Sequence, residues 1–251
     1  MNELILIKPS CKEKRKEKRL TEIVEESMKD FKYERINTVE EFETTNLKNK
    51  KILFAISLGE SGINLELYSM LKKIRLDNNI FEGSFAGVIV DGDSDLYTKS
   101  VARDLVFCAN SSGCTFIGKP LVEATKFLQN FNIIAKNMGT DNYQAYINSG
   151  KNLVQRLVSF NKMKREKPNI LVLHSSNLQK SNSFVLWSKI KEKLTDCEIN
   201  EISLKNGEIV DCIGCHYNTC LHFGEKGKCV YGGVIVEKVY PAILKCDALV
   251  M

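Results

Sequence analysis

The reading of this chain turns on the stretch Asn169-Ile-Leu-Val-Leu-His-Ser-Ser-Asn-Leu-Gln-Lys-Ser-Asn-Ser183. Its first five residues are almost wholly apolar, the pattern of a short strand buried on both faces. From His174 to Asn182 the chain is polar. From Ser183 to Leu194 it takes helical spacing, with Phe184, Trp187, Ile190 and Leu194 on one stripe. A buried strand, a hydroxyl-rich loop and a helix make the opening βα unit of a parallel sheet. Hydroxyls and amides in such a loop can hold an anion, aided by free backbone N–H groups and the positive end of the helix dipole. Ser181, Asn182 and Ser183 serve equally well as ordinary helix caps.

The same rhythm extends in both directions. Upstream, residues 4–7, 51–56, 86–90 and 115–117 read as strands. Helical spacing occupies residues 20–31, a helix from Asn64 carrying Leu65, Tyr68, Leu71 and Ile74, residues 95–110, and residues 143–160. Gly113 ends the third of these as a C-terminal cap would. Downstream, residues 198–204 are a second strand, 233–244 a helix and 248–251 a further strand. Short apolar strands alternating with helices imply an α/β fold with a parallel sheet covered on both faces. The polar, basic segment 161–168, closed by Pro168, is the expected linker between residues 1–160 and 169–251.

Composition narrows the classes. Of 251 residues 43% are hydrophobic and 27% charged, with 15 glycines and 4 prolines, which excludes collagen-like, coiled-coil and wholly disordered chains. No apolar run approaches the ~20 residues of a bilayer span, and no apolar N-terminal segment marks secretion, so the expectation is a soluble, cytoplasmic protein without a membrane partner. Residues 12–19 supply +4 of the formal +5 charge. They read as the solvated face of a helix whose Leu20, Ile23 and Val24 turn inward. No aromatic residues interleave with them for base stacking, so no nucleic-acid partner is expected. Asp91-Gly-Asp-Ser-Asp95 begins like a calcium loop, but Leu96 stands where glycine is needed and Ala102 where a glutamate should close it. It reads as a polar turn capping the next helix. Ser57-Leu-Gly-Glu-Ser-Gly62 likewise reads as a turn, since Glu60 would repel a phosphate.

Five of the nine cysteines, Cys11, Cys108, Cys114, Cys197 and Cys246, lie among apolar or strand-like neighbours as small hydrophobes. The other four, Cys212, Cys215, Cys220 and Cys229, crowd into eighteen residues. Four thiolates suit an iron–sulfur cluster or tetrahedral zinc, and His216 and His222 in the same segment allow a mixed zinc site. Reduced buried thiols are the plain alternative.

Residues 170–183 resemble the opening of the NADPH-dependent FMN reductases and iron–sulfur flavoproteins, whose loop runs roughly Gly-Ser-x-Arg-x-x-Gly/Ser-Asn-Thr. Ser176, Asn182 and Ser183 match that pattern, while Ser175 replaces the glycine and Leu178 the phosphate-clamping arginine. The segment from Cys212 to Cys229 looks like the family's compact cysteine motif, and residues 246–250 like its third strand. The resemblance implies two flavodoxin-like doubly wound units. It implies FMN held by Ser176, Ser181, Asn182 and Ser183, and NAD(P)H as hydride donor. It also implies a cluster on Cys212, Cys215, Cys220 and Cys229 that passes electrons to a small-molecule or protein acceptor. The reading from a different class is a zinc-stabilised, non-enzymatic binding module. The first half has no recognisable phosphate loop after its first strand. From Asn169 onward only three strands can be counted where a flavodoxin-like sheet has five. The second unit is therefore expected to be incomplete, a fragment with an apolar edge and weak FMN affinity. The alternative is that the first unit or a second copy of the chain, a homo-oligomer, completes its sheet.

Overall fold

Runs such as Lys51–Leu58 and Phe85–Gly92 are buried at every position, so they must be central strands covered on both faces. A computed structural model describes residues 4–11, 14–59, 61–161, 165–176, 181–205 and 209–251. The chain divides into two units, Met1–Asn161 and Lys162–Met251. The strands of the first unit are β1 (Leu4–Ile7), β2 (Tyr33–Ile36), β3 (Lys51–Leu58), β4 (Phe85–Gly92) and β5 (Thr115–Ala124). Its helices are α1 (Lys14–Met28), α2 (Val39–Thr44), α3 (Leu65–Leu76), α4 (Thr98–Ser111), α5 (Asn132–Met138) and α6 (Asn142–Ser159). All strand pairs are parallel and the order is β2-β1-β3-β4-β5, the flavodoxin-like doubly wound order, with its switch point between β1 and β3.

Period-two alternation sorts the core into two layers. Leu4, Leu6, Leu53, Ala55 and Ile89 pack with Leu20, Ile23 and Val24 of α1 and with Tyr146, Leu153 and Leu157 of α6. Their neighbours Ile5, Ile7, Ile52, Phe54 and Ile56 pack with Leu67, Met70 and Leu71 of α3 and Val101 and Leu105 of α4. Each of the Leu, Ile, Val, Met and Phe side chains among them contributes about 1.5–3 kcal/mol through burial. The α3 stripe differs from the expected one: Leu67, Met70, Leu71 and Ile74 are buried, whereas Leu65 is 67% and Tyr68 45% exposed.

The second unit comprises β6 (Asn169–His174), α7 (Asn182–Lys191), β7 (Glu198–Ser203), α8 (Tyr217–Gly224), a π-helical turn (Ile235–Val239), α9 (Tyr240–Lys245) and β8 (Ala248–Val250). Its parallel order β7-β6-β8 repeats the β2-β1-β3 arrangement of the first unit, and among the described residues it has three strands. Ile170 and Val172 pack with Trp187 on one face, and Leu171 and Leu173 with Val239 on the other, so this sheet too is covered from both sides.

Four readings of the sequence need correction. β2 was missed because it is an edge strand with Tyr33, Glu34 and Arg35 exposed and only Ile36 buried. α2, α5 and α8 were missed because each is short: α2 is held by a capping box between Thr38 and Glu41, and α8 buries no residue. Asp91 does not cap α4; it lies on β4, 4% exposed, and the residue preceding α4, Tyr97, makes no side-chain cap. Arg19 does not belong to a solvated face. It reaches from α1 to Asp91, with Nε 2.9 Å from Oδ2 and Nη2 2.5 Å from Oδ1.

Candidate cofactor site

In an open doubly wound sheet, ligands bind outside the carboxyl ends of the strands at the switch point. In the second unit that place lies between β6 and β8. A crevice of about 450 Å³ opens there, lined by His174, Ser176, Ser183, Phe184, Trp187 and Met251 among others. Its volume falls within the usual range for small-molecule sites.

The loop is built around one serine. Ser181 is the N-cap of α7, and its Oγ accepts the Phe184 N–H at 3.3 Å. The same hydroxyl donates to Ser176 Oγ at 3.2 Å. Capping and loop closure are therefore one device, and they bring Ser176 to the start of the helix. Ser183 lines the crevice from the first turn of α7, and Asn182 is the exposed first residue of that helix. Leu178 and its neighbours at 177–180 lie outside the described residues.

Two polar atoms that the sequence did not single out stand at the same edge. His174 Nδ1 and Ser203 Oγ are buried without a hydrogen-bond partner among the described residues, and His174 and Ser203 are paired in register at the carboxyl ends of β6 and β7. Buried polar atoms are seldom left unpaired, so such a pair at a ligand edge is a place for a ligand's polar group. The His174 ring packs against Phe184 with centroids 4.9 Å apart. Nearby, Glu201 accepts from Trp187 Nε1 at 2.7 Å and from Lys191 Nζ at 3.1 Å. The Trp187 bond, then Lys191, hold its carboxyl below its ordinary pKa, while partial burial opposes them.

The four clustered cysteines are spread along the segment after β7. Cys212 is exposed, Cys215 half-buried, Cys220 exposed on α8 and Cys229 half-buried beyond it. Among the described residues no three His, Cys, Asp or Glu side chains converge to hold a metal ion. The donor set suits a cluster or zinc; its arrangement here does not. Of the two histidine candidates, His216 immediately precedes α8 and His222 lies on it, with Nε2 3.2 Å from Lys226 Nζ.

At the corresponding edge of the first unit several charged side chains of the chain pair with one another. Lys8, at the end of β1, is 3% exposed and its Nζ lies 3.3 Å from Glu17 Oε1. The same oxygen accepts the Cys11 N–H at 2.8 Å. Arg19 joins Asp91 bidentately and donates to the carbonyls of Lys126, Thr125 and Gly92 at 2.8, 3.1 and 3.3 Å. The buried Tyr146 hydroxyl donates to Asp91 Oδ2 at 3.2 Å. Burial pushes the Asp91 carboxyl above its ordinary pKa against the pull of Arg19, and it raises the Tyr146 phenol as well.

No protein-family model matches the chain, and no curated protein sequence matches it. Among solved structures, a short-chain flavodoxin associated with a non-canonical PDU bacterial microcompartment is 11% identical, with a TM-score of 0.42 over 62% of this chain and 99% of its own. The Streptococcus pneumonia TIGR4 flavodoxin is 12% identical, with a TM-score of 0.40 over 61% of this chain and 98% of its own. The assignment of this chain to the flavodoxin-like α/β folds rests on the strand order β2-β1-β3-β4-β5 of its first sheet.

Proposed function

We propose that this protein is a flavin-dependent redox protein that binds FMN at the carboxyl edge of its second sheet, with NAD(P)H as hydride donor and a small molecule or a protein as electron acceptor. The observation that carries the reading is the crevice at the carboxyl ends of β6 and β8, where the serine-capped start of α7 adjoins His174, whose buried Nδ1 has no hydrogen-bond partner among the described residues. The first turn of α7 offers backbone N–H groups and a positive dipole end to a phosphate. Ser176 and Ser183 add hydroxyls, while Ser181 holds the loop by capping. His174 Nδ1 supplies a polar contact, Ser203 stands beside it in register on β7, and Phe184 and Trp187 supply apolar walls. When bound, the flavin would supply the hydride and single-electron chemistry, and the protein's part is to position it and exclude water.

Cys212, Cys215, Cys220 and Cys229 have the donor chemistry of an iron–sulfur cluster, but no step is assigned to them while they do not converge. Metal analysis of anaerobically purified protein tests them directly. Stoichiometric iron adds an electron relay to the reading, whereas zinc in a protein that binds no flavin favours the zinc-stabilised binding module instead.

The test is anaerobic titration of FMN into the full chain and into the Ser176→Ala/Ser183→Ala variant. Each lost hydrogen bond to a charged phosphate is worth about 1.5–3 kcal/mol, so affinity should fall about tenfold or more. Unchanged affinity would return the loop to a purely capping role.

A further inference from the structure

The loop after the first strand of a doubly wound sheet, leading into a helix N-terminus, is where such folds usually present backbone N–H groups to an anion. In the first unit that place holds a carboxylate of the chain itself. Glu17 Oε1 takes the Cys11 N–H at 2.8 Å and faces the ammonium of Lys8 at 3.3 Å. The Lys8 side chain is only 4% exposed and the Glu17 side chain 21%, so a buried cation has found its counter-ion within its own fold. Two residues further along the same helix, Arg19 covers the carbonyls of Gly92, Thr125 and Lys126 at the ends of β4 and β5. The beginning of α1 thus meets the Cys11 N–H and three strand-end carbonyls at this edge of the sheet.

We propose that Glu17 is a built-in anion that excludes phosphate-bearing ligands from the first unit, making it the residue that sets the ligand specificity of this sheet. The inference goes beyond the flavin reading and does not rest on it, since it concerns the other unit alone. The neighbouring crevice of about 330 Å³ agrees in sign. Ser10, Cys11, Ser61 and Asn64 line it, and its one charged lining residue among those described is the acidic Glu66.

The experiment is titration of the full chain with inorganic phosphate, read at the Cys11 backbone amide in ¹H–¹⁵N correlation spectra and by the thermal unfolding midpoint. The wild-type amide is expected to show no saturable shift. Glu17→Ala should show one, with phosphate bound at least tenfold more tightly, and adding Lys8→Ala should abolish it. Should Glu17→Ala be too unstable for spectra, phosphate must raise its midpoint by more than it raises that of the wild type. A saturable shift at Cys11 in the wild type, or a Glu17→Ala protein that responds by neither measure, overturns the proposal. Shifts at the Ser183 amide report on the flavin reading, so the two can fail separately.

Discussion

Replacing Arg19 by alanine would leave Asp91, 4% exposed, as a buried carboxylate without its counter-charge. Two charge-assisted contacts, at 2.9 and 2.5 Å, would go, together with three bonds to the carbonyls of Gly92 at the end of β4 and of Thr125 and Lys126 just after β5. Breaking a buried pair by removing one partner costs about 3–5 kcal/mol. For a chain of this size that lowers the unfolding midpoint by about 6–20 °C. The pH dependence has a definite sign. Burial already places the Asp91 carboxyl above its ordinary pKa, with Arg19 the main group pulling it down. A carboxyl with a raised folded-state pKa contributes its full stability below its unfolded pKa and loses it as pH rises through the folded value. Without Arg19 the folded value climbs further and the loss extends to higher pH, so the deficit of Arg19→Ala should be larger at pH 7 than at pH 5. Far-UV circular dichroism during urea and thermal unfolding measures it. The chain's single tryptophan, Trp187, lies in the second unit, and its fluorescence reports that unit alone. The reasoning is refuted by a deficit below about 1 kcal/mol at pH 7, or by one that does not shrink at pH 5. A deficit that appears in Trp187 fluorescence rather than in the remaining dichroism would refute it as well. An Arg19→Met/Asp91→Leu/Tyr146→Phe variant, which removes both charges and the buried hydroxyl that donates to Asp91, should recover the part of the loss due to the unpaired charge.

Gly150 of α6 has no room for a side chain, because a Cβ there would stand 2.5 Å from Ser27 Oγ on α1. Gly150→Ala should cost about 1–3 kcal/mol by overpacking. Ser27→Ala, which removes a buried hydroxyl that has no partner among the described residues, should be near neutral and should rescue Gly150→Ala in a denaturation cycle. Trp187→Phe removes the indole bond to Glu201 and should cost the second unit about 1.5–3 kcal/mol. Because that bond holds the Glu201 carboxyl below its ordinary pKa, its contribution is present above the unfolded carboxylate pKa. It is lost as pH falls through the folded value, so amide exchange along β7 should show a larger effect of Trp187→Phe at pH 7 than at pH 3.

Much of this architecture was legible in the sequence, and the limits have physical causes. Central strands such as β3, β4 and β6 announce themselves because a strand buried on both faces must be apolar throughout, and no neighbour can change that. The hydroxyl loop before α7 was legible as well, because serine at a helix start serves the same local purpose in any fold. Strand order, and with it the flavodoxin-like topology, was decided by tertiary structure, since nothing local tells β1 that it lies between β2 and β3. Edge strand β2 needs little burial and so carries little signal. The roles of single charges were decided there too. Glu17 and Arg19 belong to one run of charges in the sequence, but Glu17 meets a buried lysine and Arg19 an aspartate seventy-two residues away. His174 and Ser203 became candidates only when β6 and β7 paired and left their polar atoms buried side by side. The tight spacing of Cys212, Cys215, Cys220 and Cys229 could not show where their side chains would point, because α8 and the loops on either side set their directions. Spacing along a chain sets which groups are able to meet, and packing decides which of them do.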